Sequence, residues 1–407
     1  MMNPEALFAV ALGIVPPWEV VDVSFSQENK RLYIKIDFKH GSTFACPVCG
    51  TSSPVHDTTE KTWRHLNFFQ YEAYLTARVP RVKCPNAGCG VKLVQAPWAR
   101  SGSGFTLLFE ALVIAMARQM PVNVIAAMFN EHDTRLWRVI RTYIEAARAK
   151  EDHSQVSRIG VDETSSSKGH EYVTLFFDMD RRKLLFGTTD KDHATVERFV
   201  TDLVAHGGNP DNVTDACLDM SKAFIKGIKE NFPNASLTFD QFHLIKLTND
   251  ILAKIRAEEA RQFPEELKKT RYIFLKNPDR LSEDEEKKLF DLTRFNLGSI
   301  KAYMLKLALQ FVYAANTRKE AEVLLKRWYN RALRSRIERI VKLAKTVKVH
   351  WEGILSYFDS RLTNGFLEGI NSLIQAAKAK ARGYRNPDNL IAMAYLIAGK
   401  LKLPSPT

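Results

Sequence analysis

Between Ser157 and His243 the hydrophobic period of the chain changes in an order that leaves few folds open. SRIGVDET, EYVTLFFDMD and KLLFGTTD are three successive runs of strand length, and a helical period follows at about 192 to 206. VTDACLDMS then reads as a strand, SKAFIKGIKENF as a helix and ASLTFDQF as a last strand. Three strands followed by alternating helix and strand predict a mixed sheet. Acids stand at the ends of apolar runs in this order: Asp162 in Ile-Gly-Val-Asp-Glu and Asp219 in Ala-Cys-Leu-Asp-Met-Ser. Such an acid is costly to bury without a partner. Taken singly, each is more often an ordinary solvated strand-end residue than a ligand.

The element order is that of an RNase H-like domain, in which the first and fourth strands lie side by side, so Asp162 and Asp219 are expected to meet. Glu368 would then approach from the amphipathic helix read in NGFLEGINSLIQAAKAK. Phosphoryl transfer with two divalent metals needs several carboxylates converging from distant segments, which suits this trio. Glu163 follows Asp162 directly and on a strand points to the other face. Asp178, Asp180 and Asp215 are nearby acids with less claim. Asp240 and His243, in Phe-Asp-Gln-Phe-His, end a further strand. As auxiliary residues they could tune the site or grip DNA, and a plain turn is the competing reading.

Upstream, residues 20 to 100 are β-rich. Leu32, Ile34, Ile36 and Phe38 alternate with Tyr33, Lys35 and Asp37 in the period of a half-buried strand. Two knuckles interrupt this stretch, Cys46-Pro-Val-Cys49-Gly and Cys84-Pro-Asn-Ala-Gly-Cys89-Gly. Four thiolates at this spacing predict a closed structural Zn2+ site, while Cys217 stands apart. His65 is a substitute ligand only if a cysteine drops out. From Phe105 to Lys150 three helical segments fit a helix-turn-helix, with Asn130 to Asp133 as a turn, Asp133 or Thr134 as a cap, and Arg135, Arg138 and Arg141 near DNA.

From 244 to about 350 the chain is almost wholly helical, with a capping box in Ser282-Glu-Asp-Glu285. Lys301 to Lys348 holds 13 Lys or Arg against 3 Glu, a bias suited either to a phosphate backbone or to a solvated helix surface. The whole chain of 407 residues has 45% hydrophobic and 26% charged residues and a formal charge of +13, so it reads as globular and favours polyanionic partners. It shows neither a secretory signal nor an apolar run approaching the roughly eighteen residues that span a bilayer. A cytoplasmic protein without a membrane partner is expected.

Longer motifs carry a resemblance. LFAVALGIVPPW, TWRHLNFFQYEAYL, the two knuckles, GVDE, LDMS, FDQFH, RYIFLKNPDRLS, GILSYFDSRLTNGFLEGINSLIQ and KARGYRN run nearly end to end. By these the chain resembles bacterial insertion-sequence transposases of the ISL3 type, which carry an amino-terminal zinc ribbon. The resemblance implies an Asp-Asp-Glu catalytic domain whose matching positions are Asp162, Asp219 and Glu368. With 148 residues between Asp219 and Glu368, the basic helices read as an insertion in that domain.

The expected architecture is multidomain α+β: a β-rich zinc-ribbon domain at 1–100, a helix-turn-helix domain at 101–150, an RNase H-like catalytic domain at 151–243 and 351–390, an all-α insertion at 244–350, and a C-terminal helix and tail at 391–407. The expected activity is strand cleavage and strand transfer on double-stranded DNA by a nucleoid-associated homodimer, with two Mg2+ (or Mn2+) ions held by the triad. Arg331, Arg334, Lys378, Lys380, Arg382 and Arg385 join the three helix-turn-helix arginines as expected DNA contacts. A DNA-binding regulator with a non-catalytic RNase H-like part is the alternative from another class. A structure-selective nuclease on the same fold is a third reading.

Overall fold

The structure is a computed structural model that describes residues 3–166, 172–190 and 193–405. The chain divides into two compact units, one running to Arg148 and joined by the chain end from Leu401, the other from Ala149 to Lys400.

The first unit opens with helix α1 (Pro4–Ala11), whose first turn is capped by the Asn3 side chain accepting from the Ala6 amide. Its sheet contains β1 (Trp18–Ser26), β2 (Arg31–Phe38), β3 (Thr43–Ala45), β4 (Ser52–Arg64), β5 (Glu72–Lys83) and β6 (Val91–Leu93). The strand order is β1-β2-β5-β4-β3, with β6 on β5, and β2 pairs β5 in parallel. Leu32, Ile34 and Ile36 are buried while Tyr33 and Lys35 are exposed, as the alternation requires. Trp98 stands edge-on to Trp18 at 5.1 Å and to Trp63 at 5.6 Å, tying the two ends of the sheet core together.

Three helices complete this unit: α2 (Leu107–Ala117), α3 (Val122–Met128) and α4 (Asp133–Arg148). The turn read from Asn130 to Asp133 ends where α4 begins. The fully buried Glu110 on α2 is satisfied by Arg100 at 2.9 Å, Ser103 Oγ at 2.6 Å and the Tyr143 hydroxyl at 2.8 Å. These bonds replace the water that a buried carboxylate loses.

The second unit is built on β7 (Arg158–Ser165), β8 (Tyr172–Asp178), β9 (Lys183–Thr189), β10 (Asp215–Leu218) and β11 (Ser236–Phe239), in the order β11-β10-β7-β8-β9. β7, β8 and β9 are antiparallel, whereas β7, β10 and β11 run parallel. The helices between the parallel strands, α5 (His193–Ala205) and α6 (Lys222–Asn231), supply the crossovers that parallel pairing demands. The mixed sheet expected from the sequence is therefore present, with its first and fourth strands adjacent.

Along β7, Ile159 and Val161 join the core that holds Phe199 of α5, so Gly160 and Asp162 face the other side. There helix α14 (Gly365–Lys380) lies on the strand, and α15 (Pro387–Ala398) covers β9. The approach is possible because residue 160 is glycine. A Cβ at that position would stand 2.9 Å from Leu367 Cδ1 and 2.4 Å from Met179 Sδ.

Between sheet and α14 come α7 (Gln241–Glu259), α8 (Glu283–Leu292), α9 (Gly298–Tyr313), α10 (Arg318–Arg334), α11 (Glu338–Val349), α12 (Trp351–Leu355) and α13 (Tyr357–Ser360). The Ser282–Glu285 capping box opens α8 as read. Lys306, fully buried on α9, donates to the Phe274, Leu275 and Lys276 carbonyls at 3.0 to 3.2 Å. The Tyr303 hydroxyl adds a bond to the Lys276 carbonyl at 3.2 Å, so the short turn is held to α9 by two side chains. Among the described residues, no helix is long and apolar enough to cross a membrane.

Helix α12 rests on β11 through Gly353, where a Cβ would meet the Phe239 ring at 2.3 and 2.4 Å. Gly353→Ala is expected to destabilise the protein by about 1–3 kcal/mol through overpacking. A chemical-denaturation midpoint that falls without a change of slope checks this. An unchanged midpoint would mean that the ring yields freely.

Candidate active site

The parallel register pairs Asp215 with Arg158 and Cys217 with Gly160. Asp162 lies two residues further along β7 and Asp219 just past the end of β10, so the pairing brings the two acids close enough for Asp219 to act on Asp162. β11 repeats the arrangement on the other flank of β10. Leu218 pairs with Phe239, and the next residue on each chain is Asp219 and Asp240. Three aspartates thus stand at neighbouring positions along one edge of the parallel half of the sheet, which is where open α/β sheets place their ligand sites.

Each is held differently. Asp162 Oδ1 accepts from the Glu163 amide at 2.8 Å and Oδ2 from Asn371 Nδ2 at 2.6 Å. Asp219 Oδ1 accepts from the Ser221 amide at 2.9 Å. Asp240, buried at the start of α7, accepts from the Asn364 amide through Oδ1 at 3.2 Å. Its Oδ2 is buried and, among the described residues, makes no hydrogen bond.

His243, one turn into α7, sits between two of them: Nδ1 is 3.8 Å from Asp240 Oδ2 and Nε2 is 4.0 Å from Asp219 Oδ2. The Asp240 carboxylate holds its imidazole above the ordinary value against the opposing effect of burial, and Asp219 and Asp162 add to the rise. Burial pushes Asp162 up to about 6. The Glu163 amide and His243 work against that rise, and the charges of Asp219 and Asp240 reinforce it.

Glu368 is exposed in the first turn of α14. Its carboxyl is raised by partial burial and then by Asp240, with His243 and Lys246 acting in the opposite sense. Its electrostatic neighbours are thus Asp240 and His243. The arrangement is open: among the described residues, no three of these five groups have ligand atoms all within 4.8 Å of one another. Chemically it is an excess of hard oxygen donors whose one ion-pairing partner, among the described residues, is a histidine. One histidine set against several carboxylates leaves negative charge in excess, and the raised Asp162 marks it. That donor set fits Mg2+ or Mn2+.

Helix α14 holds β7 through a row of polar side chains that the sequence reading missed. Asn371 Nδ2 also lies 3.4 Å from the Glu163 carbonyl, Gln375 Nε2 donates to Thr164 Oγ1 at 2.6 Å and the Ser165 carbonyl at 3.1 Å, and Lys378 Nζ donates to that same carbonyl at 2.7 Å. The spacing 371, 375, 378 is one helical face, a pattern the sequence carries without saying what that face meets. Lys378, expected on DNA, is engaged here. Arg331, Arg334, Lys380, Arg382 and Arg385 are exposed.

In the first unit Cys46, Cys49, Cys84 and Cys89 place their sulfurs within 4.8 Å of one another. Cys49 and Cys84 are 3.4 Å apart, and Asn86 Nδ2 donates to Cys49 Sγ at 3.2 Å. Contacts with Thr51, its hydroxyl foremost, and then with Cys84 lower the Cys49 thiol to about 5, so one member of the cluster is poised as a thiolate. Four soft donors in a closed group support a structural Zn2+. His65 is not among them: its Nδ1 lies 2.8 Å from Thr106 Oγ1, and burial lowers it to about 4. On α4, Arg138 is exposed and Arg141 half-buried, while Arg135 pairs with Glu131 and lies 4.4 Å over the Phe105 ring.

A four-cysteine cluster, a three-helix segment and a mixed sheet edged with acids make up the chain, and comparison with known proteins gives its family. A family described as transposase matches residues 159–394, the helix-turn-helix domain of transposase family ISL3 matches residues 94–144, and the zinc finger of the IS204/IS1001/IS1096/IS1165 transposases matches residues 42–89. The chain belongs to the ISL3 family of transposases. It is 27% identical to the transposase for insertion sequence element IS1557 of Mycobacterium tuberculosis, over 97% of this chain and 96% of that one. It is 25% identical to the transposase for IS1001 of Bordetella parapertussis, over 84% and 86% of the two chains.

Two outcomes follow from the geometry. Asp162 has a folded value above its unfolded one, so the native state holds the extra proton and wild-type stability falls as pH rises from about 4 to about 6. Asp162→Asn removes the buried charge and keeps one oxygen for the two donors, Asn371 and the Glu163 amide, that the carboxylate accepts from. In chelator its stability relative to wild type should rise by at most about 3 kcal/mol between pH about 4 and pH 8, read from melting temperatures. A gap independent of pH contradicts this. Cys84→Ser should release Zn2+ and lower the melting temperature of the first unit, and metal analysis with calorimetry checks both.

Proposed function

We propose that this transposase binds the terminal inverted repeats of an insertion sequence and catalyses metal-dependent DNA strand cleavage and strand transfer through Asp162, Asp219 and Glu368. The observation that carries the reading is the placement of Asp162 and Asp219 on adjacent parallel strands, with His243 between Asp219 and Asp240. Divalent ions at such acids polarise the scissile phosphate and lower the pKa of the attacking hydroxyl or water.

The protein's own residues do the positioning. Asn371 fixes the Asp162 carboxylate through its 2.6 Å bond, and the strand pairing fixes Asp219 beside it. Glu368 enters from α14, whose Gln375 and Lys378 bonds to β7 hold that helix on the strand. Being exposed, it would complete the set of carboxylates that hold a divalent ion beside the scissile phosphate. Asp240 and His243 serve as auxiliary groups: a charged His243 offsets the acids and faces the site with a proton available for a leaving oxygen.

The ribbon and the helix-turn-helix, with Arg138 and Arg141 of α4, are assigned to end recognition. Arg331, Arg334, Lys380, Arg382 and Arg385 are assigned to flanking or target DNA. Two ends must be joined, which favours a homodimer acting in the bacterial nucleoid.

The test is a cleavage and strand-transfer assay with cognate ends and Mg2+, comparing wild type, Asp219→Asn and Glu368→Gln. The expected result is unchanged end binding with activity reduced by at least about 10²-fold, the scale on which loss of a key charge-stabilising group acts. If all three proteins bind ends and neither variant differs from wild type in cutting, the assignment fails. If wild type binds and never cleaves, the regulator reading replaces it.

A further inference from the structure

Outside the acidic edge, a second group of ligand-type side chains gathers where the chain enters the sheet unit. His153 lies in the segment that precedes β7, and Asp202 and His206 lie at the end of α5. Their ligand atoms all fall within 4.8 Å of one another, the same closeness as the four ribbon cysteines. The group is well shielded: His153 is 2% exposed, and the Asp202 and His206 side chains are 14% and 13% exposed.

The backbone builds this group. The spacing of Asp202 and His206 is that of one helical turn, which puts both on one face. Gly207, with φ +80, ends the helix, and the Gly208 amide donates to the Leu203 carbonyl at 2.9 Å. The His153 amide then donates to the His206 carbonyl at 2.9 Å, drawing the incoming segment onto the helix end. The two imidazoles lie 4.7 Å apart between centroids, tilted by 31°.

The local chemistry favours a cation. His206 Nδ1 is 2.7 Å from the Asp202 carbonyl and 3.5 Å from the Asp202 carboxylate. A ring N–H committed to a backbone carbonyl fixes the tautomer and leaves the other nitrogen as a lone pair, the usual support of a metal-bound histidine. Asp152 adds a further carboxylate beside Gly207, its Oδ1 3.7 Å from where a Cβ would stand there.

We propose that His153, Asp202 and His206 form a second divalent-metal site, for a borderline ion of the Zn2+ type, which clamps the segment entering β7 onto the end of α5. Two imidazoles and one carboxylate are a ligand set for such an ion, with the remaining position left to water. The site shares no ligand with the ribbon or the acidic edge. It is a shape-holding site of the kind whose binding energy adds to folding.

The test uses Co2+ as the probe on the full chain carrying Asp162→Asn and Asp219→Asn, which silences the catalytic acids. Cobalt–thiolate absorption reports the ribbon alone, and total metal analysis reports both sites. The parent should hold about two Co2+ per chain, and adding His206→Gln or Asp202→Asn should remove about one while the thiolate band persists. If His206→Gln also loses the thiolate band, the nearly isosteric Asp202→Asn carries the reading. A parent that holds only the ribbon's ion, or variants that match the parent's metal content, overturns the proposal.

Discussion

The parallel pairing of β7 with β10 is the constraint on which the rest depends. It places Asp162 beside Asp219, and the parallel addition of β11 brings Asp240 up on the far side. Like charges at a half-buried edge repel, and the raised Asp162 records that together with its loss of water. A fold that existed only for stability would replace such a cluster with apolar side chains. Keeping it makes sense where an external cation supplies the charge that His243 alone does not balance.

The helical part of the unit follows from the need to bring a distant acid to that edge. α7 starts on Asp240 and leads the chain away, and the helices that follow it extend the apolar core of the sheet through Trp328, Tyr303 and Leu325 before α14 returns to β7. The return depends on close packing. Gly160 leaves room for Leu367, and the Asn371, Gln375 and Lys378 bonds fix the helix along the strand. Glu368 sits one turn before Asn371 on that helix, so the polar row that positions Asp162 also fixes the helix turn that carries Glu368.

Much of this was legible because it is written in local periodicity. The five strands between Arg158 and Phe239 and the helices among them follow from runs of apolar residues whose period changes visibly. The four cysteines declare themselves by spacing. What the sequence hid depends on partners far along the chain. Arg135 has the look of a DNA contact, yet Glu131 and Phe105 engage it. Lys378 reads as one more basic residue in a basic stretch, and only the tertiary contact with the Ser165 carbonyl distinguishes it. Asp240 in isolation is consistent with a simple turn, and its burial emerges only when the Asn364 amide closes over it. His153 and His206 are separated by a strand-turn region and the whole of α5, so no count of spacing could pair them.

The central claim is that the acids at the β7–β10 edge hold the cations that act on DNA. The most direct measurement is a structure of the full chain bound to a transposon-end duplex with Ca2+, which holds the complex before cleavage. The account predicts cations bridging the Asp162 and Asp219 carboxylates and the scissile phosphate, with Glu368 drawn in from α14. A scissile phosphate bound away from this edge, with the three acids left facing solvent, would contradict it.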